Sequence, residues 1–109
     1  MQIEVLKAKL HRIRVTGVER DYEGSLTLDP DYMESVGIVP YEKILVADVE
    51  NGNRFETYAI AGERGSGVCR LNGAAAHMGA AGDRLIVMAF ARVEPGEAEG
   101  HAPRVRHFS

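Results

Sequence analysis

Hydrophobic and polar residues alternate over short stretches of this chain, a pattern typical of β-strands. The clearest case lies within residues 3–18, where residues 13–16 read Ile-Arg-Val-Thr. Successive side chains of a strand point to opposite faces, so this alternation predicts a strand with one solvated face. On that strand Lys7, Lys9 and His11 would share a face.

Other short apolar or alternating stretches predict a mostly β domain. The further strands are predicted at 26–28, 43–50, 54–60, 68–71 and 84–91. Gly17 is expected to end the first strand, and Asn51-Gly52 predicts a hairpin turn. Twelve glycines and four prolines fit many turns and short elements, as in small β-barrels.

One or two short helices and several connecting segments complete the predicted layout. Asp29-Pro30 is a strong helix start, with Asp29 as N-cap and Pro30 in the first turn, and Gly37 is placed to end the helix. Residues 72–77, Asn-Gly-Ala-Ala-Ala-His, predict either a tight turn into a helical turn or a loop that another group approaches closely.

The domain is expected to span residues 1–93, followed by a linker and tail at 94–109. Residues 94–102 read as a mobile linker, since they are rich in Pro, Gly and Glu. Residues 103–108 are expected to dock on the barrel or on a neighbouring chain.

Composition limits the function classes. A chain of 109 residues suits one domain, and a net charge of −3 offers no basic field for nucleic acid or an anionic membrane. No apolar run approaches the roughly 20 residues that span a bilayer. The N-terminus lacks the apolar core of a signal peptide, and the single cysteine, Cys69, cannot form an intrachain disulfide, so a cytoplasmic protein is expected. The four histidines show no metal-ligand spacing, so no metal is expected.

The dipeptide Gly24-Ser25 carries the candidate chemistry. A serine hydroxyl is a weak nucleophile unless a neighbour activates it, and a preceding glycine leaves its carbonyl open to attack. Attack by Ser25 on the Gly24 carbonyl would convert the amide into an ester. Elimination would then cut the chain and leave dehydroalanine, and hydrolysis of that group would give a pyruvoyl group at position 25. Alone, however, Gly-Ser is a common turn pair.

Several separated motifs accompany this dipeptide, and together they resemble the pyruvoyl-dependent aspartate 1-decarboxylases. The similarity runs from about Lys9 to Phe90. The motifs are Leu10-His11-Arg12, Tyr22-Glu23-Gly24-Ser25, Asn51-Gly52-x-Arg54-Phe55, Thr57-Tyr58-Ala59-Ile60, Glu63-Arg64-Gly65-Ser66 and Asn72-Gly73-Ala74-Ala75-Ala76-His77. The resemblance implies a six-stranded double-psi β-barrel with short helices. It also implies a homotetramer with active sites between subunits, and production of β-alanine for pantothenate synthesis.

The same resemblance assigns roles to individual residues. It makes Ser25 the source of a covalent pyruvoyl cofactor that forms a Schiff base with L-aspartate, and Tyr58 the proton donor. Thr57 would contact the Gly24 carbonyl during self-processing and also bind substrate. The other substrate-binding residues are Lys9, Arg54, Gly73, Ala74 and Ala75, and those lining the site are His11, Tyr22 and Asn72.

Physical chemistry adds one constraint on Arg54. A salt bridge to the departing α-carboxylate would stabilise the ground state and slow the reaction. We therefore expect Arg54 to hold the β-carboxylate, which survives in the product.

Two other functions compete with this interpretation. An unprocessed barrel of the same fold could act as a binding module and keep Gly24-Ser25 as a turn. A small nucleic-acid-binding barrel could use Lys7, Lys9, Arg12 and Arg14, although the net charge and seven aromatic residues (three Phe, four Tyr) weaken that function.

Overall fold

The computed structural model describes residues 1–109 as eight strands with three short helical segments. The strands are β1 (Ile3–Arg14), β2 (Gly17–Glu19), β3 (Ser25–Leu28), β4 (Lys43–Asp48), β5 (Arg54–Ala61), β6 (Cys69–Asn72), β7 (Arg84–Val93) and β8 (Arg104–His107). The helical segments are α1 (Pro30–Val36), a 3-10 helix (Gly73–His77) and α2 (Pro95–Ala98). The predicted mainly β class with short helices is confirmed. No helix is long and apolar enough to cross a membrane.

All strands join one mixed sheet in the order β2-β6-β3-β5-β4-β7-β1-β8. The parallel pairs are β2 with β6, β3 with β5, and β1 with β8, and the other neighbours are antiparallel. Six strands therefore lie between the terminal strands β2 and β8, consistent with the double-psi β-barrel that the resemblance implies. Hydrophobic side chains from these strands form the core, including the fully buried Leu10, Leu26, Val46, Leu71 and Leu85.

Strand β1 follows its predicted alternation with one irregularity. Leu10 is buried while its neighbours Lys9 and His11 lie on the partly solvated face. The register with β7 shifts between His11 and Ile13, and Arg12 in between has φ of +71°. This bulge changes which positions face inward, so Ile13 is buried like Leu10 despite the odd spacing between them.

Helix α1 begins and ends as predicted. Asp29 is the N-cap, and its carboxylate accepts hydrogen bonds from the backbone N–H groups of Asp31, Gly65 and Gly67. Burial alone would raise the pKa of Asp29, but these three donors outweigh it and lower the pKa. Gly37 has φ of +80° and closes the helix. One buried carboxylate thus joins the helix to the glycine-rich loop 62–67.

The expectation for Gly17 was wrong, because β1 ends at Arg14 and Gly17 begins β2. The chain changes partner at this point. The Val15 N–H donates to the Asp83 carbonyl, whereas the Thr16 N–H donates to the Cys69 carbonyl at 2.7 Å. Gly17, which was predicted to end the first strand, is instead the first residue of β2 to pair with β6.

The C-terminal residues, predicted as a mobile linker and a docking tail, contain two further elements of regular structure. Residues 94–102 contain α2, whose Glu94 and Glu97 form a reciprocal capping box. Strand β8 then docks on β1, as the tail was predicted to do. Its end is fixed by Phe108, which packs edge-on against Tyr32 with ring centroids 5.0 Å apart.

Candidate active site

Ser25 is the first residue of β3 and is fully buried. Its hydroxyl donates a hydrogen bond to the Glu23 carbonyl at 3.1 Å and accepts one from Asn72 Nδ2 at 3.0 Å. Asn72 lies directly opposite Ser25 in the antiparallel pairing of β3 with β6. The nucleophile predicted from the sequence is therefore held at both its proton and its lone pairs.

Asn72 is the centre of a buried polar network. The same Nδ2 also donates to Thr27 Oγ1 at 2.7 Å, and Arg70 Nε donates to Asn72 Oδ1 at 3.1 Å. Thr27 is two residues after Ser25 and so shares its face of β3. Hydrogen bonds to Ser25, Thr27 and Arg70 therefore fix the orientation of the Asn72 amide group.

The backbone of Gly73 approaches the predicted cleavage position closely. Gly73 has φ of +62°, and a Cβ atom there would lie 2.7 Å from Gly24 N, 2.8 Å from Gly24 Cα and 2.6 Å from the Tyr22 carbonyl oxygen. No side chain fits at such distances. Glycine at position 73 therefore brings the 3-10 helix against the peptide that precedes Ser25, and both alternatives predicted for 72–77 are realised together: a helical turn and a close approach.

Two cavities flank the Gly24–Ser25 bond. The first, of about 260 Å³, is lined by Tyr22, Glu23, Ser25, Pro40, Tyr41, Tyr58, Ile60 and Ala61. The second, of about 340 Å³, is lined by Gly24, Phe55, Glu56, Thr57, Ala74, Ala75 and Met78. Ser25 lines one cavity and Gly24 the other, so the bond between them connects a residue of each cavity.

The pairing of β3 with β5 places Tyr58 and Thr57, the predicted partners of Ser25, in different cavities. Leu26 pairs with Ala59 in parallel register, so Ser25 and Tyr58 each precede this pair on neighbouring strands. Thr57 comes one residue earlier and points to the opposite face from Tyr58. One strand thereby supplies Tyr58 to the Ser25 cavity and Thr57 to the Gly24 cavity.

Three predicted site residues, Lys9, His11 and Arg54, lie outside the two cavities. Lys9 is in the middle of β1, between Met88 of β7 and Val105 of β8. Arg54 begins β5 and lines an open groove of about 650 Å³ with Glu4, Lys43 and Phe90. Neither Lys9 nor Arg54 forms an ion pair within the chain. His11 is beside Lys9 on β1. None of the three lines either cavity at Gly24–Ser25.

His11 has an unusual environment for an imidazole. Its Nδ1 is buried without a hydrogen-bond partner, and its ring meets His107 of β8 edge-on, with centroids 5.3 Å apart. Burial lowers the pKa of His11, and the positive charge of Lys9, the His107 ring and Arg12 lower it further. The neutral imidazole is therefore favoured at neutral pH.

Sequence reasoning missed Thr27, Ile60 and Tyr41. The strand alternation from Ser25 could have indicated Thr27, since both residues share a face. Ile60 shares a face with Tyr58 by the same rule. Tyr41 has a weaker signal, the Pro40 that precedes it, because proline at the second position of a turn is common.

The chain is a small, mainly β domain in which a buried Ser25 follows an exposed Gly24 and each of the two residues lines a cavity. The family model described as Aspartate decarboxylase matches residues 1–109. The chain belongs to the aspartate decarboxylase family. Three proteins named aspartate 1-decarboxylase illustrate the similarity.

The relatives match nearly the whole chain. The protein from Salinibacter ruber is 50% identical over 107 residues, covering 98% of this chain and 73% of its own length. The protein from Syntrophobacter fumaroxidans is 54% identical over 105 residues, covering 96% and 85%. The protein from Lactiplantibacillus plantarum is 51% identical over 105 residues, covering 96% and 81%.

Proposed function

We propose that this protein removes the α-carboxylate of L-aspartate, releasing CO₂ and forming β-alanine for pantothenate synthesis. The observation that carries the proposal is the buried Ser25 hydroxyl, held by Asn72 beside a bond with a cavity on each side. Membership of the aspartate decarboxylase family supports the reaction and its substrate.

The cofactor is proposed to come from the chain itself. Ser25 Oγ attacks the Gly24 carbonyl carbon, the C–N bond breaks, and the hydroxyl proton passes to the Ser25 nitrogen. Loss of the Ser25 Cα proton then breaks the Cβ–O bond of the ester, leaving Gly24 as a carboxylate and residue 25 as dehydroalanine. Water finally replaces the nitrogen, which leaves as ammonia. Thr57 is proposed to contact the Gly24 carbonyl during these steps, supported by its place in the Gly24 cavity.

The surroundings of position 25 fit a pyruvoyl group. The Asn72 amide lies against the side chain of residue 25, and the small Ala74 and Ala75 line the cavity on the Gly24 side. Such a group supplies a ketone that takes up the substrate amine and withdraws the electrons left by the departing CO₂. The chain's own residues would return the proton and bind the substrate carboxylate.

Tyr58 is proposed to return a proton to the substrate carbon. It lines the same cavity as Ser25, and a phenol hydroxyl within reach can act as a general acid. Tyr22, across that cavity, lines the site. Backbone N–H groups of residues 73–75 can receive a carboxylate, because their small side chains permit close approach.

Arg54 and Lys9 of a neighbouring subunit are proposed to bind the substrate carboxylate. His11 of that subunit would line the same part of the site. In one chain these three residues lie outside both cavities, which is the arrangement expected if sites form between subunits. A homotetramer is proposed accordingly, with Arg54 on the β-carboxylate through two parallel hydrogen bonds. A cytoplasmic location is proposed, supported by the single buried Cys69, which forms no disulfide within the chain.

Turnover of aspartate against glutamate tests the proposed reaction. The purified protein should release CO₂ and β-alanine from L-aspartate, and the Ser25→Ala variant should release neither. Glutamate, one methylene longer, should react at least about tenfold more slowly. A wild-type protein that carries the cleaved chain yet leaves aspartate unchanged would overturn the substrate assignment.

A further inference from the structure

Tyr41 lines the Ser25 cavity together with Tyr58, and the proposed chemistry gives it no role. Its ring stacks on the Tyr58 ring, with centroids 6.2 Å apart and planes inclined by 30°. Aromatic rings attract each other in offset arrangements at this separation. The rest of Tyr41 faces solvent, since the residue is 77% exposed. Its ring therefore covers Tyr58 rather than filling the hydrophobic core.

The backbone of Tyr41 is in a conformation that a tyrosine rarely adopts. Its φ is +71°, in the left-handed region that favours Gly, Asn or Asp. Val39 to Glu42 form a turn closed by the Glu42 N–H on the Val39 carbonyl at 3.1 Å, with Pro40 second and Tyr41 third. In a type II turn the third position is the usual place for glycine. Here it carries a large aromatic ring instead.

The turn is fixed to the strand that carries Tyr58. The Tyr41 N–H donates to the Ala59 carbonyl at 2.7 Å, and the Ala59 N–H donates to the Glu42 carbonyl at 3.0 Å. Glu42 also accepts a hydrogen bond from Lys7 Nζ of β1 at 2.6 Å. These bonds hold the Tyr41 backbone beside residue 59, so the Tyr41 side chain starts next to Tyr58 on the neighbouring strand.

We propose that Tyr41 is a positioning residue that holds the Tyr58 ring in the orientation from which its hydroxyl reaches the substrate. The inference rests on the proposed role of Tyr58 as proton donor. Tyr41 acts through Tyr58 and needs no hydroxyl of its own for this, because the contact is made by the ring.

Two substitutions separate the ring from the backbone. Tyr41→Phe keeps the ring, whereas Tyr41→Asn removes it and suits the left-handed backbone. With rates normalised to the fraction of cleaved chain, Tyr41→Asn should lower kcat about ten- to a hundredfold with KM nearly unchanged, since small misplacements of a reacting group have effects of this size. Tyr41→Phe should retain the wild-type kcat. The exposed Val39→Ala in the same turn is the matched control.

A purely structural role predicts a different pattern. Tyr41→Asn would then match the wild type in kcat, because asparagine relieves the backbone conformation, and this result would overturn the proposal. A rise in KM equal to the fall in kcat/KM would also overturn it, because it would place Tyr41 in substrate binding.

Fluorine NMR gives a readout independent of turnover. In protein labelled with 3-fluorotyrosine, the Tyr58 resonance should move in Tyr41→Asn and stay in place in Val39→Ala, because the stacked ring shifts its neighbour's signal. An unmoved Tyr58 resonance in Tyr41→Asn would refute the contact itself. A wild-type protein inactive on aspartate would instead refute the proposed function, while the NMR result would still decide the contact.

Discussion

Asn72 Nδ2 donates a hydrogen bond to Ser25 Oγ at 3.0 Å, and neither residue is exposed to solvent. The two residues are paired across neighbouring strands, so the fold brings amide and hydroxyl together without a flexible loop. The Ser25 hydroxyl also donates to the Glu23 carbonyl, so one donated and one accepted hydrogen bond fix its rotamer. This contact connects the sheet register to the chemistry proposed for Gly24–Ser25.

Replacing Asn72 by alanine should slow self-cleavage and lower stability. Ser25 Oγ and Thr27 Oγ1 would both lose their buried donor, and each lost partner destabilises by about 1–3 kcal/mol. Gel bands of freshly folded protein over time give the cleavage rate, and urea unfolding gives the stability. Thr27→Val is the matched control, since it should affect stability while cleavage continues. Cleavage at the wild-type rate in Asn72→Ala would contradict the role of this contact.

Gly73→Ala should block self-cleavage more strongly than its backbone strain alone explains. The added Cβ would overlap Gly24 N and Cα, at 2.7 and 2.8 Å, and so displace the peptide that is cut. Gly65→Ala is the matched control, because Gly65 has φ of +82° but open space around a Cβ. Both variants carry about 1–2 kcal/mol of left-handed strain. Equal cleavage in the two variants, measured by mass, would show that the close approach is unimportant.

Asp48→Asn should stabilise the protein at neutral pH. Asp48 is buried, and its Oδ2 receives no hydrogen bond from any donor. Burial and the neighbouring Asp83 carboxyl group raise the pKa of Asp48 to about 6 from an ordinary value of 3.8. Asparagine keeps the oxygen that accepts from the Glu50 and Asn51 N–H groups, and replaces Oδ2 by a donor.

The sign of this pH dependence follows from the raised pKa. An acid whose folded pKa exceeds its unfolded pKa contributes stability in full below the unfolded value and loses it as pH rises through the folded value. The wild-type free energy of unfolding should therefore fall by about 2 kcal/mol between pH 4 and 7 from this group. In Asp48→Asn the fall should disappear. An unchanged slope in urea titrations across this range would contradict the assignment.

Mixed oligomers should reveal whether sites form between chains. Protomers with Ser25→Ala and protomers with Arg54→Ala, each inactive alone, should regain activity when co-expressed and purified through two tags. Ser25→Ala with Tyr58→Phe is the control and should stay inactive, because Ser25 and Tyr58 line one cavity of one chain. No recovery in the first pair would place Arg54 and Ser25 in the same chain's site.

The sequence predicted those parts of the fold that depend on neighbouring residues. Asp29-Pro30 and Gly37 bound α1 because capping is local, and the hairpin at Asn51-Gly52 forms with Gly52 at φ of +78°. Gly17 was misjudged because its role depends on Thr16 bonding to Cys69, far along the chain. The register that sets Asn72 against Ser25 is equally non-local, and the tail's docking site is fixed by contacts such as Phe108 with Tyr32.

Candidate site residues were found through the family resemblance more than through local pattern. Nothing in the composition around Tyr41 indicates that it stacks on Tyr58, because that contact arises from a turn pinned to β5. Likewise, the separation of Lys9 and Arg54 from Ser25 appears only in three dimensions. Contacts between chains depend on residues that are distant in the sequence, so no local pattern predicts them.

The proposed function requires that the bond between Gly24 and Ser25 is cut and that residue 25 becomes a ketone. Mass spectrometry of the denatured, purified protein tests it most directly. We expect one fragment covering residues 1–24 and a second covering residues 25–109. The second should be lighter by one ammonia than a chain that begins with serine, and it should react with a hydrazide. A single mass for residues 1–109 that persists after prolonged incubation would show an intact Gly24–Ser25 bond and contradict the proposed function.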